Sequence, residues 1–272
     1  MFGLSRQAIY QRVEHSKVRS KELNKVKEFV LDQRMQLPRL GTRKLHYLLS
    51  DILDESQIKI GRDGLFDLLR AEGMLIFPKK NYTKTTNSKH WLRKHPNLIK
   101  EIKPLMPNEV YVSDITYVKS KERTHYLSLV TDAFSRKIVG HHLSDDMSAE
   151  NVVKALKMAN KNRNKEKQTI HHSDRGLQYC SWIYQKELEE QNIVPSMTDG
   201  YDCYQNALAE RINGILKQEF LIYECNTGKE LDVLIKQSIY RYNNLRPHLS
   251  LKMKTPNSIH KKTCETNLAG FS

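Results

Sequence analysis

Three acidic residues stand where a carboxylate is costly or conspicuous. Asp114 falls in the middle of the apolar run EVYVSDITYVK, Asp174 ends a short apolar strand in HHSDRG, and Glu210 lies within the helical stretch NALAERINGILKQE. A carboxylate set among Val, Ile and Tyr costs several kcal/mol to desolvate unless something compensates it. An Asp114 paired with a neighbouring Arg or Lys is one explanation, and an Asp114 on the solvent face is another. Strand alternation puts Val110, Val112, Asp114 and Thr116 on one face, so Asp114 shares its side with two valines. The third explanation is a joint site with Asp174 and Glu210. The chemistry that needs such a trio is phosphoryl transfer with two divalent ions, about 3.5–4 Å apart, that activate the attacking oxygen and stabilise the leaving one. Mg²⁺ takes hard oxygen ligands, and its charge explains how neighbouring acids tolerate each other.

Other residues fall close to these acids in sequence. Lys217 follows Glu210 by seven residues and returns to within about 20° of the same helix face, where a cation suits a phosphate as well as solvent. Asn206, one turn before Glu210, shares that face and suits a DNA contact or the orientation of the carboxylate. Arg175 and Gly176 suit a tight loop after Asp174, the Arg meeting a phosphate. His171 and His172 have no Cys or third ligand at zinc spacing. His172 reads as structural near the site, and His171 stays unassigned. Asp132, which also ends a strand, is the strongest rival acid. It goes with Asp145, Asp146, Glu187, Glu189, Glu190, Asp199 and Asp202 to surfaces and turns.

The elements that must carry the trio follow from periodicity. Glu109–Lys119, Thr124–Asp132 and Lys137–Leu143 read as an antiparallel meander. A helix from an N-cap at Ser148 to about Asn160 follows, then a strand Thr169–His172, a helix Trp182–Gln191 and a strand Ile193–Ser196. Helices over Asn206–Phe220 and Leu231–Tyr242 complete an α/β pattern, a mixed sheet with helices on its faces. Arg246 and His248, in the closing segment RYNNLRPHLS, suit packing more than DNA contact. Upstream, three short helices are expected: Lys21–Arg34 with Met35 on its apolar side, Arg43–Leu53, and one from Gly61 to Gly73. On a positive segment they suggest a helix-turn-helix type of DNA reader, with Arg43 and Lys44 among its cations. The division expected is 1–76 for this basic domain, 77–107 for a basic linker carrying Lys79, Lys80 and Lys84, 108–226 for the catalytic core and 227–272 for a helical extension.

Composition agrees. The formal net charge is +14, and residues 1–107 hold 22 Lys and Arg against 11 Asp and Glu, so the excess sits ahead of the core. That makes a polyanion the expected partner, nucleic acid the commonest one. With 39% hydrophobic and 28% charged residues the chain is neither disordered nor low in complexity. No window approaches a transmembrane helix, and the start lacks the apolar stretch of a secretory signal. Cys180, Cys203, Cys225 and Cys264 are widely spaced, as expected of free thiols in a cytoplasmic protein.

At this point the chain resembles a known family. VYVSDITYV (110–118), HYLSLVTDAFSRKIVG (125–140), HHSDRGLQY (171–179), SMTDG (196–200), NALAERINGILKQE (206–219) and YNNLRPHLSLKMKTP (242–256) are similar to the DDE transposases of bacterial insertion sequences, OrfB type, which are related to retroviral integrases. Thirty-five residues separate Asp174 from Glu210, the spacing of the D,D-35-E group, and PRLGTRKLHYLL (38–49) also matches. Tyr111, His141 and Gln205 depart from the family's usual residues, and none of them replaces a carboxylate of the trio. The resemblance implies an RNase H-like core in which Asp114, Asp174 and Glu210 hold Mg²⁺, or Mn²⁺ in its place, two ions per site. It implies cleavage of DNA at element ends and transfer of the 3′-OH into target DNA, by a homo-oligomer that synapses two ends. An upstream-frame fusion partner is a further expectation. A catalytically inactive DNA-binding remnant and an RNase H-like nuclease without strand transfer are the alternatives.

Overall fold

The computed structural model describes residues 5–77, 91–161, 163–199 and 206–261. The chain divides into two compact units, Met1–Pro78 and Lys79–Ser272. In the first, helix α1 (Arg6–Gln36) is followed by α2 (Thr42–Glu55) and α3 (Arg62–Ala71). Their apolar stripes meet in a core of Val26, Val30, Leu40, Leu45, Leu49, Leu53, Leu65 and Leu69. Burying side chains of this size stabilises by about 1.5–3 kcal/mol each.

Two expectations are corrected here. The first helix begins at Arg6, capped by Ser5, whose Oγ accepts from the Ala8 N–H at 3.2 Å. Periodicity registered only the packed half of the helix, because the few apolar residues of the leading turns, Ile9, Tyr10, Val13 and Val18, are spread over several faces and stay exposed. Met35, placed on the apolar side, is exposed, and Leu37 is buried instead as the chain turns towards α2.

The second unit is built on a five-stranded sheet of order β3-β2-β1-β4-β5. Its strands are β1 (Val110–Lys119), β2 (Thr124–Asp132), β3 (Ile138–Ser144), β4 (Thr169–Ser173) and β5 (Ile193–Met197). The β1–β2 and β2–β3 pairs are antiparallel, and the β1–β4 and β4–β5 pairs are parallel. Central β1 is therefore where the sheet changes sense. Helix α4 (Ala149–Asn160) lies against β3 so closely that a Cβ on Gly140 would stand 2.1 Å from the Ala155 carbonyl oxygen. A short helix α5 (Leu177–Cys180), not anticipated from the sequence, precedes α6 (Trp182–Glu190).

The stretch expected as one helix over Asn206–Phe220 is two elements. Helix α7 (Ala207–Ile215) gives way to a π-helical turn, Leu216–Phe220, in which the Leu221 N–H donates to the Leu216 carbonyl at 2.8 Å. Helix α8 (Gly228–Asn244) starts earlier than expected, because Thr227 Oγ1 accepts from the Glu230 N–H at 3.2 Å. It is tied to β3 by Asn243, which donates to the Ile138 carbonyl and accepts from the Ile138 N–H, both at 3.0 Å.

Two acids assigned to the surface are buried. Asp132 Oδ1 accepts from the Ser135 N–H at 2.7 Å and the Ser135 hydroxyl at 2.6 Å, and Oδ2 accepts from the Asn108 N–H at 2.6 Å. These bonds close the β2–β3 connection and occupy the carboxylate. Glu187 is covered by α4, where Lys157 Nζ stands 3.3 Å away. Lys79, Lys80 and Lys84 lie outside the described residues. Among the described residues no helix is long and apolar enough to cross a membrane.

Candidate active site

Parallel pairing of β1 with β4 sets the first two acids side by side. Val110 stands opposite Ile170 and Val112 opposite His172, so the same offset carried forward brings Asp174, just beyond β4, level with Asp114. Glu210 arrives on the first turn of α7, which packs over β1. The sheet and one helix thus bring acids from three separate segments towards one place.

The acids lie within electrostatic reach of one another. Burial and the charge of Asp174, with a smaller push from Glu210, raise the Asp114 carboxyl to about 7. Partial burial and the charge of Asp174 raise Glu210. Partial desolvation lowers the Lys217 ammonium, opposed by the attraction of Asp114, so this exposed lysine lies within electrostatic reach of that acid. Like charges held together in this way invite a cation. Three partly solvated carboxylates with no sulfur or free imidazole among them are a hard-oxygen donor set that fits Mg²⁺ or Mn²⁺. As they stand, no three His, Cys, Asp or Glu side chains among the described residues, this trio included, are close enough together to hold a metal ion.

The acids are held by named donors. Asp114 Oδ1 accepts from the Ile115 N–H at 2.9 Å, and Oδ2 accepts from Asn213 Nδ2 at 2.7 Å. Asp174 Oδ1 accepts from the Gly176 N–H at 2.9 Å, and a Cβ on that glycine would stand 3.0 Å from the same oxygen. A side chain at Gly176 would crowd the carboxylate, which would have to give by a few tenths of an ångström.

Behind β1 and β4 lies a buried polar layer. His171 Nε2 is 2.7 Å from Ser113 Oγ and 2.9 Å from Tyr184 Oη, and burial pushes its pKa down to about 3, so the ring is neutral. His172 Nδ1 is 2.9 Å from Ser196 Oγ on β5. Both histidines pack the strands that carry the acids.

The remaining site residues fall in different places. Asn206 is only 4% exposed and donates from Nδ2 to the Ser113 carbonyl at 3.0 Å, which moors α7 to β1. Arg175 is partly buried, with Nη2 3.9 Å from Asp199 Oδ1. Arg43 is exposed and Lys44 half-buried on the first turn of α2, in the other unit.

Sequence reasoning missed Asn213. Its position three residues after Glu210, on the same helix face, was the available signal. It also missed the clamp beneath Lys217. Arg246 is 3% exposed and grips Glu219 with two bonds, Nε to Oε2 at 2.7 Å and Nη2 to Oε1 at 2.6 Å. Its Nη1 stands 3.1 Å from His248 Nε2, and its guanidinium lies over the Tyr242 ring. The RPH segment thus braces the π-helical turn that carries Lys217.

Comparison with known proteins agrees with this construction. The family described as Integrase core domain matches residues 104–203, and a second family of the same description matches residues 191–256. The chain is 34% identical to the insertion element IS600 uncharacterized 31 kDa protein of Shigella sonnei over 268 residues, 96% of this chain and 97% of that one. It is 31% identical to transposase InsF for insertion sequence IS3A of Escherichia coli K12, covering 64% of this chain and 60% of the relative. A chain of the simian T-cell lymphotropic virus intasome, solved with PP2A regulatory subunit B56 gamma, aligns with TM-score 0.51 at 19% identity, covering 81% of this chain and 74% of that one. That likeness speaks for the fold, which is RNase H-like. With 96% of its length matched by an insertion-element protein and its sheet by the integrase core, the chain belongs to the integrase-core transposases of insertion sequences, polynucleotidyl transferases of the DDE type.

Proposed function

We propose that Asp114, Asp174 and Glu210 form the metal-binding catalytic site of a transposase that cuts DNA at the element's terminal inverted repeats and joins the freed 3′-OH to target DNA. The observation that supports it most is the mutual electrostatic coupling of three carboxylates drawn from β1, the end of β4 and α7. Bound there, divalent ions would polarise the scissile phosphate and stabilise the attacking and leaving oxygens.

The chain's own groups do the positioning. The Ile115 N–H and Asn213 hold the two oxygens of Asp114, and the Gly176 N–H holds Asp174. Lys217, braced from below through Glu219 and Arg246, offers a cation to a DNA phosphate beside the acids, and Arg175 offers a second at the rim. In the first step water attacks the phosphodiester and releases a 3′-OH and a 5′-phosphate. In the second, that 3′-OH attacks a target phosphodiester and the displaced strand leaves with its own 3′-OH. One phosphodiester replaces another, so no nucleotide triphosphate is consumed. Arg43, Lys44 and the segment with Lys79, Lys80 and Lys84 serve the duplex outside the site. Assembly as a homo-oligomer on two ends, association with an upstream-frame protein, and work in the cytoplasm complete the reading.

The test is Mn²⁺ soaked into crystals and located by anomalous scattering. One or two ions among Asp114, Asp174 and Glu210 are expected. No ion there at millimolar Mn²⁺ would overturn the assignment.

A further inference from the structure

Among the described residues, the first half of α1 is a helix with almost every side chain exposed. From Arg6 to Lys21 every residue is exposed apart from Ala8, which is half-buried, and the first fully buried side chain is Val26. That free stretch is about 24 Å long at about 1.5 Å per residue. Helices of this length are marginal alone in water, so it depends on its anchored end, where Val26 and Val30 are wholly buried.

One part of its surface is ordered by face, while the exposed Tyr10 and Val18 lie outside that part. Ile9, Val13, Ser16 and Ser20 recur at steps of four, three and four, and so share one stripe. Ile9 and Val13 are 49% and 48% exposed, an apolar pair left about half open to solvent. Arg12 and Arg19 lie about 80° to one side of that stripe, and Arg6 and Lys17 about 60° to the other. Glu14 is the one acid between Arg6 and Lys21. The intrahelical pairs of Lys17 with Glu14 at 3.8 Å and Arg19 with Glu22 at 2.7 Å are exposed, and pairs of that kind are weak.

A narrow apolar and hydroxyl stripe flanked on both sides by cations is complementary to one object in particular. The major groove of duplex DNA is about 12 Å wide, admits a helix, and offers base edges and thymine methyls on its floor with a phosphate backbone along each wall. We infer that the free half of α1 is a second duplex-reading element that enters the major groove, with Ile9, Val13, Ser16 and Ser20 facing base edges and the two cation pairs reaching opposite backbones. A single helix held only at its far end is the geometry by which continuous basic helices enter DNA. The inference rests on the proposal that this transposase acts on duplex DNA, and it adds a recognition helix outside the α2–α3 pair.

The test is salt-dependent binding of the chain to a fluorescent mixed-sequence DNA duplex, comparing wild type with Arg12→Ala/Arg19→Ala and Arg6→Ala/Lys17→Ala. Alanine is the best helix former and these sites are exposed, so the fold should persist, as circular dichroism would verify. Each pair should weaken binding and reduce the slope of log K against log salt by about 1.8, at about 0.9 per phosphate contact. A steep wild-type slope unchanged in both variants would overturn the α1 assignment alone. A wild-type chain with no salt-dependent duplex affinity would instead sink the reading of DNA as substrate. Light scattering on Ile9→Glu/Val13→Glu covers the competing occupant. If that variant dissociates a wild-type oligomer and leaves the salt slope intact, the stripe belongs to a second copy of the chain and the inference fails.

Discussion

The two units spend their buried volume differently. Within the described residues of the first, the buried positions are aliphatic apart from Thr42, and the charge stands outside on Arg and Lys side chains. The second buries Asp132, His171, His172, Asn206, Asn213, Arg163 and Arg246 among its apolar residues. Burying a polar group costs stability unless its bonds are made, and each of these is placed on or beneath a strand or turn of the catalytic sheet. A surface that holds a polyanion needs charge but little precision, so an oily core with cations outside suffices. A site that must align three carboxylates needs its supports fixed in angle as well as distance, and buried hydrogen bonds supply that.

Substitutions can test this contrast, the largest effect coming from the acids. Asp114→Asn, Asp174→Asn and Glu210→Gln should each reduce strand joining on cognate ends by about 10³-fold or more. Thermal melting should stay unchanged or rise, because a repelled charge has been removed. A variant that joins strands at the wild-type rate would break the proposed division of labour.

Next is the clamp. Arg246→Met should destabilise the second unit by about 3 kcal/mol in urea titration, since Glu219 is left half-enclosed without its partner. Arg43→Ala, exposed in the first unit, should change stability by less than about 0.5 kcal/mol. Equal effects would erase the difference between the two regions.

Asn213→Ala should weaken Mn²⁺ binding by about 10–100-fold in calorimetric titration while leaving the chain folded, because Asp114 loses the donor that orients it.

The smallest effect is in pH. His171 has a folded-state pKa of about 3, below its unfolded value, so the unfolded chain binds more protons between the two. Its contribution to stability is full above about pH 6.5 and is lost as pH falls towards 3. His171→Gln should make the fall of stability over that window shallower, as denaturant midpoints measured at several pH values would show.

Much of this was legible before folding. The β-branched alternation in EVYVSDITYVK and THYLSLVTD marks both strands, and the identity and separation of Asp174 and Glu210 mark the acids, because these patterns are local or carried whole in a motif. Less legible were the elements whose signal is weak or whose partner is remote. The leading turns of α1 carry only two apolar residues, Ile9 and Val13, on their one ordered stripe, too few for periodicity to register as a core-facing side. Asp132 reads as a strand-end turn residue, and only the return of Ser135 and Asn108 onto its oxygens shows it to be buried.

Residue types, their local periods and the overall charge were enough to single out the acids as unusual and to suggest the α/β alternation and a polyanionic partner, while the family resemblance joined the acids into one expected site. The level pairing of Asp114 with Asp174, the bond from Asn213 to a carboxylate 99 residues earlier, and the grip of Arg246 on Glu219 came only with the packed chain. Such contacts depend on strand register and helix docking. Those are set by the whole sheet and its core together, and no short stretch of sequence contains them.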